Sequence, residues 1–162
     1  MAEALPLLGS GIALELFSIS TEDDFCVRKI CGAARLAGIK IPVTTGMSAA
    51  ELEAIAPRAK GVALKVCRPA PATDEVVTQS NAILRAIAMM KPDALLYGRT
   101  EFESAQVDQW LETCWNEFEV PVRAMAEASG NQALVAEAKR HLLSFLATVN
   151  TRLASRSDGF DC

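Results

Sequence analysis

Few residues of this chain have side chains and spacing suited to chemistry. Its five cysteines stand at positions 26, 31, 67, 114 and 162, and its one histidine is His141. Cys26 and Cys31 lie five apart in a helical pattern, which is not a metal-ligand spacing, and one histidine cannot complete a zinc set. No metal and no cofactor are expected. No Walker loop, Gly-rich dinucleotide turn or Ser/His/Asp set occurs. Two stretches remain. "SISTEDD" (18–24) offers the hydroxyls of Ser18, Ser20 and Thr21 ahead of a helix. Glu22, Asp23 and Asp24 crowd the same helix end, where acids stabilise by ~0.3–1 kcal/mol, so plain capping is the expected role. "VVTQSNAILRAIA" (76–88) runs from a β pattern into helical spacing at Ile83, Leu84, Ile87 and Met90, with Gln79 and Ser80 at the turn. Such a turn points free backbone N–H groups outward and can seat a carboxylate.

The elements that must position these residues follow from periodicity. "IALELFSI" (12–19) alternates as a strand, "DDFCVRKICGAARLAG" (23–38) reads as a helix closed by Gly38, and "IKIPVTT" (39–45) as a second strand. "SAAELEAIA" (48–56) is a short helix stopped by Pro57, "GVALKVC" (61–67) a third strand, and "VVTQS" a fourth that enters the helix already described. The order is βαβαββα. A linker, "KPDALLYG" (91–98), precedes two helical patterns. The first opens with a Thr100 and Glu103 capping pattern and carries a stripe through Val107, Trp110, Leu111, Cys114, Trp115, Phe118 and Val122, read as core, with Pro121 kinking or ending it. The second carries Leu134, Ala138, Leu142, Phe145, Val149 and Leu153. The expected domains are an N-terminal lobe over 1–90, a linker over 91–98, a helical lobe over 99–156 and a tail over 157–162.

Composition sets outer bounds. At 162 residues and 51% apolar, the chain can bury a core without staples, and no run of ~18 apolar residues could cross a membrane. The odd, scattered cysteines suit a reducing compartment, so the cytosol is expected. Net charge is −4, which gives no general attraction to nucleic acid. Residues 91–130 carry three basic against eight acidic side chains, whereas 131–156 carry four basic ones and Glu137 alone.

An α/β lobe with Gln-Ser between its last strand and third helix, followed by an all-helical lobe, resembles the glutathione transferase family. "TQSNAILRAIA", the linker "LLYG" and "AQVDQWLE" carry the resemblance, which spans about residues 12–155. The last two are most similar to transferase-like domains of protein synthesis: the γ subunit of elongation factor 1, and the N-terminal domains of glutamyl- and methionyl-tRNA synthetases and their tRNA-binding cofactors. The resemblance implies a thioredoxin-like first lobe and a helical second lobe, C-terminally short relative to a family whose members continue with several more helices.

It also implies a test of the site. Active members need a Tyr, Ser or Cys just before the first helix. Laid over the Cys-x-x-Cys of glutaredoxin-like relatives, "DDFC" puts Asp23 at the attacking position and Cys26 at the resolving one, and a carboxylate there repels a thiolate. The family's cis-proline at the start of strand three is missing, and Ala63 takes the equivalent place. Gln79 and Ser80 are then vestigial positions of a glutathione site. The resulting reading is a chain that is not an enzyme: an interaction module that pairs with transferase-like domains, as homo- or heterodimer, to assemble aminoacyl-tRNA synthetases with a cofactor that binds tRNA through regions outside this chain. The alternatives are an active transferase using a hydroxyl of 18–21, or an elongation factor 1 subunit domain. The partner surface is expected at Glu137, Arg140 and His141, opposite in charge to Asp108 and Glu112, which share a face with Glu119.

Overall fold

The computed structural model describes residues 11–128 and 130–155; the expected tail and Cys162 lie outside the described residues. Two compact units divide at Thr100 and Glu101. The first contains β1 (Ala13–Ser18), α1 (Phe25–Leu36), β2 (Val43–Thr44), α2 (Ala49–Ile55), β3 (Val62–Cys67), β4 (Glu75–Thr78) and α3 (Ser80–Met90). The second contains α4 (Glu101–Cys114), a π-helical turn (Trp115–Glu119), α5 (Val120–Glu127) and α6 (Gln132–Ala154).

In the first unit the four strands lie in the order β2-β1-β3-β4, with β1 parallel to β2 and antiparallel to β3, and β3 antiparallel to β4. Side chains alternate across the sheet. Leu14 and Leu16 of β1 and Val62, Leu64 and Val66 of β3 pack with Val27, Ile30 and Ala34 of α1 and Ile83 and Ile87 of α3. The opposite face places Ala63 with Leu52 and Ala56, with Phe17 packed against them, so α2 covers the other side. This is the expected βαβαββα lobe.

The caps are local and legible. Asp24 Oδ1 accepts from Cys26 N at 2.8 Å to start α1. At its end Gly38, with φ +69°, donates to Arg35 O, and Ile39 N donates to Ala34 O. That double closure needs a left-handed residue at Gly38. Ser48 and Glu51 form a reciprocal capping box on α2.

Three expectations change. The second strand is two residues long instead of seven, because Pro42 has no N–H to give the ladder; its carbonyl accepts from Leu16 N instead. The segment expected as a linker holds a 3₁₀ turn, Pro92–Ala94, and Ala94 and Leu96 pack on the first unit's core. In the second unit no residue of α4 is buried, so the stripe through Trp110 is half-covered and not core. Pro121 acts through pitch: lacking an N–H it cannot bond the carbonyl four residues back. Ahead of it the helix widens into the π turn, where Val120 N donates to Trp115 O. The extra residue shifts the helical phase, and Glu119 ends 3% exposed. It therefore does not share an exposed acidic face with Glu112, as simple 3.6-residue spacing implies. On α6, Ala138 and Phe145 are buried, and the Phe145 ring lies 5.8 Å from that of Phe118.

Candidate functional site

The two candidate stretches meet at one end of the first unit's sheet. Phe17, Ala63 and Thr78 form one cross-strand row. Phe17 and Thr78 are therefore two strand spacings apart, roughly 10 Å. The chain leaves that row in the same direction on both sides, at Ser18 from β1 and at Gln79 from β4. A peptide-sized ligand can span the gap between them.

On the β4 side the backbone is strained. Gln79 has φ +71° and ψ 123°, outside the regions that suit a side chain, and its own side chain makes no capping hydrogen bond to α3. Such a conformation costs about 1–3 kcal/mol and persists where surroundings enforce it, typically at ligand sites. It turns the chain sharply so that the buried Ser80 opens α3. Ile83 N bonds Gln79 O, which leaves the N–H groups of Ser80, Asn81 and Ala82 at a helix start. Across from them Lys29 of α1 donates from Nζ to Asn81 Oδ1 at 2.9 Å and lies 5.5 Å from the Phe25 ring centre. A positive charge, a helix start and a Ser hydroxyl together favour a carboxylate. Lys29 escaped sequence reading because its partner is 52 residues away in the chain.

On the β1 side the three hydroxyls separate. Ser18 is buried, donates to Gly61 O at 3.2 Å and accepts from Ser20 N at 3.1 Å, so its hydroxyl holds the strand ends together. Ser20 is half-buried and Thr21 exposed, and neither hydroxyl bonds a described residue; their carbonyls accept from Gly46 N and Asp24 N. Of the three acids nearby, Asp24 caps α1 and Asp23 pairs with Arg28. Cys26 is buried in the first turn of α1. Among the described residues the one cis peptide is Ala70–Pro71, so the bond before Ala63 is trans.

Cys31 and Cys67 are poor nucleophiles. Burial, then the Glu22 charge, pushes the Cys31 thiol up against a smaller opposing pull from Arg35. Burial and the Glu15 carboxylate push Cys67 up, and its Sγ lies 3.6 Å from Glu15 Oε2. Cys26, Cys31, Cys67 and Cys114 stand outside any disulfide, and no metal-holding cluster occurs among the described residues.

The residues expected at a partner surface lie in the second unit. Glu137, Arg140 and His141 are exposed on α6, where Glu137 Oε1 stands 3.7 Å from Arg140 Nη2 and 4.0 Å from His141 Nε2. Asp108 is half-buried and Glu112 exposed on α4. No described helix is long and apolar enough to cross a membrane.

Solved structures share this architecture. A poplar glutathione transferase F1 superposes with a TM-score of 0.69 at 17% identity, over 88% of this chain and 70% of that one. The fold is that of the glutathione transferases. A Methylococcus capsulatus glutathione transferase gives a TM-score of 0.70 at 18% identity over 88% of this chain and 70% of its own. A theta class transferase of Xanthomonas axonopodis pv. citri, solved with glutathione bound, gives 0.68 at 24% identity over 87% and 70%. No protein-family model and no curated protein matches the chain. These neighbours overturn the expectation that the chain is not an enzyme: the structures named here are themselves glutathione transferases. Nothing in these likenesses singles out the synthetase-associated domains.

Proposed function

We propose that this chain binds glutathione at the sheet end between β1 and β4 and acts as a glutathione transferase-type enzyme. The observation that carries the reading is Gln79. A non-glycine residue held at φ +71° directly before a buried Ser at a helix start is costly, and a turn serving only the fold could use Gly there. In this reading the Ser80 N–H and hydroxyl donate to a carboxylate of glutathione, and the Lys29 ammonium adds charge.

The thiol then lies towards β1, where Ser20 is the hydroxyl that is partly sheltered and uncommitted. Donating to the sulfur, it stabilises the thiolate and lowers the thiol pKa. The thiolate attacks an electrophilic carbon, a C–S bond forms, the leaving group departs with its electron pair, and the thiol proton passes to solvent. Ser18 is committed to Gly61 and takes no part.

Calorimetric titration with glutathione and an aryl-halide conjugation assay test this together. Expected are saturable binding that Ser80→Ala weakens about ten-fold, the equivalent of about 1.4 kcal/mol, and turnover that Ser20→Ala lowers at unchanged binding. Turnover lost in Thr21→Ala but kept in Ser20→Ala moves the hydroxyl role to Thr21. Absence of glutathione binding at millimolar concentration refutes the proposal.

A further inference from the structure

Ser20 is held from two sides by parts of the chain far from it in sequence. Its N–H donates to Ser18 Oγ at 3.1 Å, and that hydroxyl donates in turn to Gly61 O at 3.2 Å, just ahead of β3. Ile19 N reaches the same Gly61 carbonyl at 3.1 Å. From the other side the loop that leaves β2 donates twice, Gly46 N to Ser20 O at 3.0 Å and Met47 N to Ser18 O at 3.2 Å. Both backbone polar groups of Ser20 are therefore engaged. Thr21 is tied locally instead, its carbonyl accepting from Asp24 N within the same turn.

We propose that Gly46 is a positioning residue for Ser20, through a hydrogen bond that its left-handed backbone makes possible. The proposal rests on the reading that the Ser20 hydroxyl activates the glutathione thiol. In extended chain successive N–H groups point to opposite edges. At Gly46 φ is +71°, and the chain turns so that the N–H groups of Gly46 and Met47 both meet the segment from Ser18 to Ser20. A residue with a side chain rarely takes that conformation. Space is not the constraint, because a Cβ at Gly46 would meet nothing within 4 Å. Glycine serves here through its torsion and not through its small size.

The consequence for the chemistry follows from the serine side chain. With the N–H and C=O of Ser20 both tied, the direction of its Cα–Cβ bond is set, and a single torsion with three staggered positions places the oxygen. A group displaced by about 1 Å from its reacting partner can cost about 100-fold in rate. Gly46 thus acts through Ser20 and not on the sulfur.

Alanine and asparagine at position 46 test this, because alanine resists a positive φ and asparagine adopts it. Circular dichroism shows whether each variant remains folded, and ultraviolet absorbance of the thiolate against pH reads the pKa of bound glutathione. Gly46→Ala should raise that pKa towards its value in free glutathione and lower kcat about ten-fold, with the glutathione KM within about two-fold of the unmodified chain. Gly46→Asn should restore most of both. Amide exchange in the unliganded chain needs no glutathione and decides the matter even if Gly46→Ala does not fold: the Gly46 N–H should exchange at least about ten-fold more slowly than an unprotected amide. A folded Gly46→Ala with unchanged thiol pKa and kcat, equal losses in Gly46→Ala and Gly46→Asn, or an unprotected Gly46 amide each overturns the positioning role and leaves Ser20 in place. A bound thiol whose pKa is the same in the unmodified chain and in Ser20→Ala overturns the reading of Ser20, and the positioning role with it.

Discussion

Lys29 and Asn81 join two helices across 2.9 Å, the ammonium of α1 resting on the amide of the residue after Ser80. The bond fixes the first turns of α1 against the start of α3. It also holds a positive charge beside the backbone N–H groups that open α3. Fold stability and ligand charge therefore depend on one side chain.

That dual role sets the first prediction. Lys29→Met keeps an apolar side chain of similar length and removes the ammonium, with its contact to the Phe25 ring. Glutathione affinity should fall about ten-fold, or about 1.4 kcal/mol, and the loss should shrink as salt rises. Asn81→Ala, which leaves the ammonium in place, should weaken binding less. Calorimetry at two ionic strengths separates the two, and equal losses in both variants would mean that Lys29 acts only by orienting Asn81.

A second prediction concerns the strained turn. Gln79→Gly removes the steric cost of φ +71° but adds backbone freedom to the unfolded chain. Strain of about 1–3 kcal/mol against an entropy cost of about 0.5–1 kcal/mol leaves a net gain in stability, by roughly 1 kcal/mol in urea unfolding. A loss of stability would show that Gln79 makes a compensating contact and that the turn is not under strain.

Much of the fold can be read from the chain because it obeys local rules. The alternation in β1 and β3, Gly38 after α1, and Ser48 with Glu51 each specify their structure within a few residues. What cannot be read arises at a distance. Ser18, Ser20 and Thr21 are equivalent in sequence, and only the approach of Gly61, 43 residues on, commits Ser18 to structure. Gln79 reads as an ordinary cap residue, since a positive φ at a non-glycine position leaves no mark on periodicity or composition. Glu119 reads as solvated because helical spacing places it beside Glu112, and the π turn ahead of Pro121 cancels that spacing. The site is thus legible as two stretches, and its chemistry depends on the pairing each makes with residues far off in the chain.

Thiol chemistry gives the third prediction. With Cys31 and Cys67 pushed up by burial and by neighbouring carboxylates, both stay protonated at neutral pH. Their reaction with a disulfide reagent at pH 7.5 should be slower than that of free cysteine, and a Cys31→Ala, Cys67→Ala double variant should keep full conjugation activity. Activity lost in that variant would assign the reaction to an intrinsic thiol and not to Ser20.

The last prediction is a pH dependence confined to α2. Hydrogen bonds from the Ser48 backbone N–H and hydroxyl hold the Glu51 carboxyl below its ordinary value of 4.5. A carboxylate depressed in the folded state stabilises above its unfolded pKa, and the contribution is lost as pH falls through the folded value. The capping box should therefore be intact at pH 6 and open only as pH falls below the ordinary carboxylate value of 4.5, with α2 fraying first at its Ser48 end. Leu52, buried against Ala56 and Ala63, keeps the middle of the helix docked, so the sheet should not unfold with it. Amide exchange at Glu51 and Leu52, measured by NMR from pH 6 to pH 3, should rise beyond its intrinsic pH trend in the wild type. In Glu51→Gln that excess should vanish, because a neutral amide caps equally at every pH. An excess that persists in Glu51→Gln would place the titrating group elsewhere, with Asp74, which the Lys65 ammonium and the Arg68 N–H hold low, as the carboxyl to mutate next.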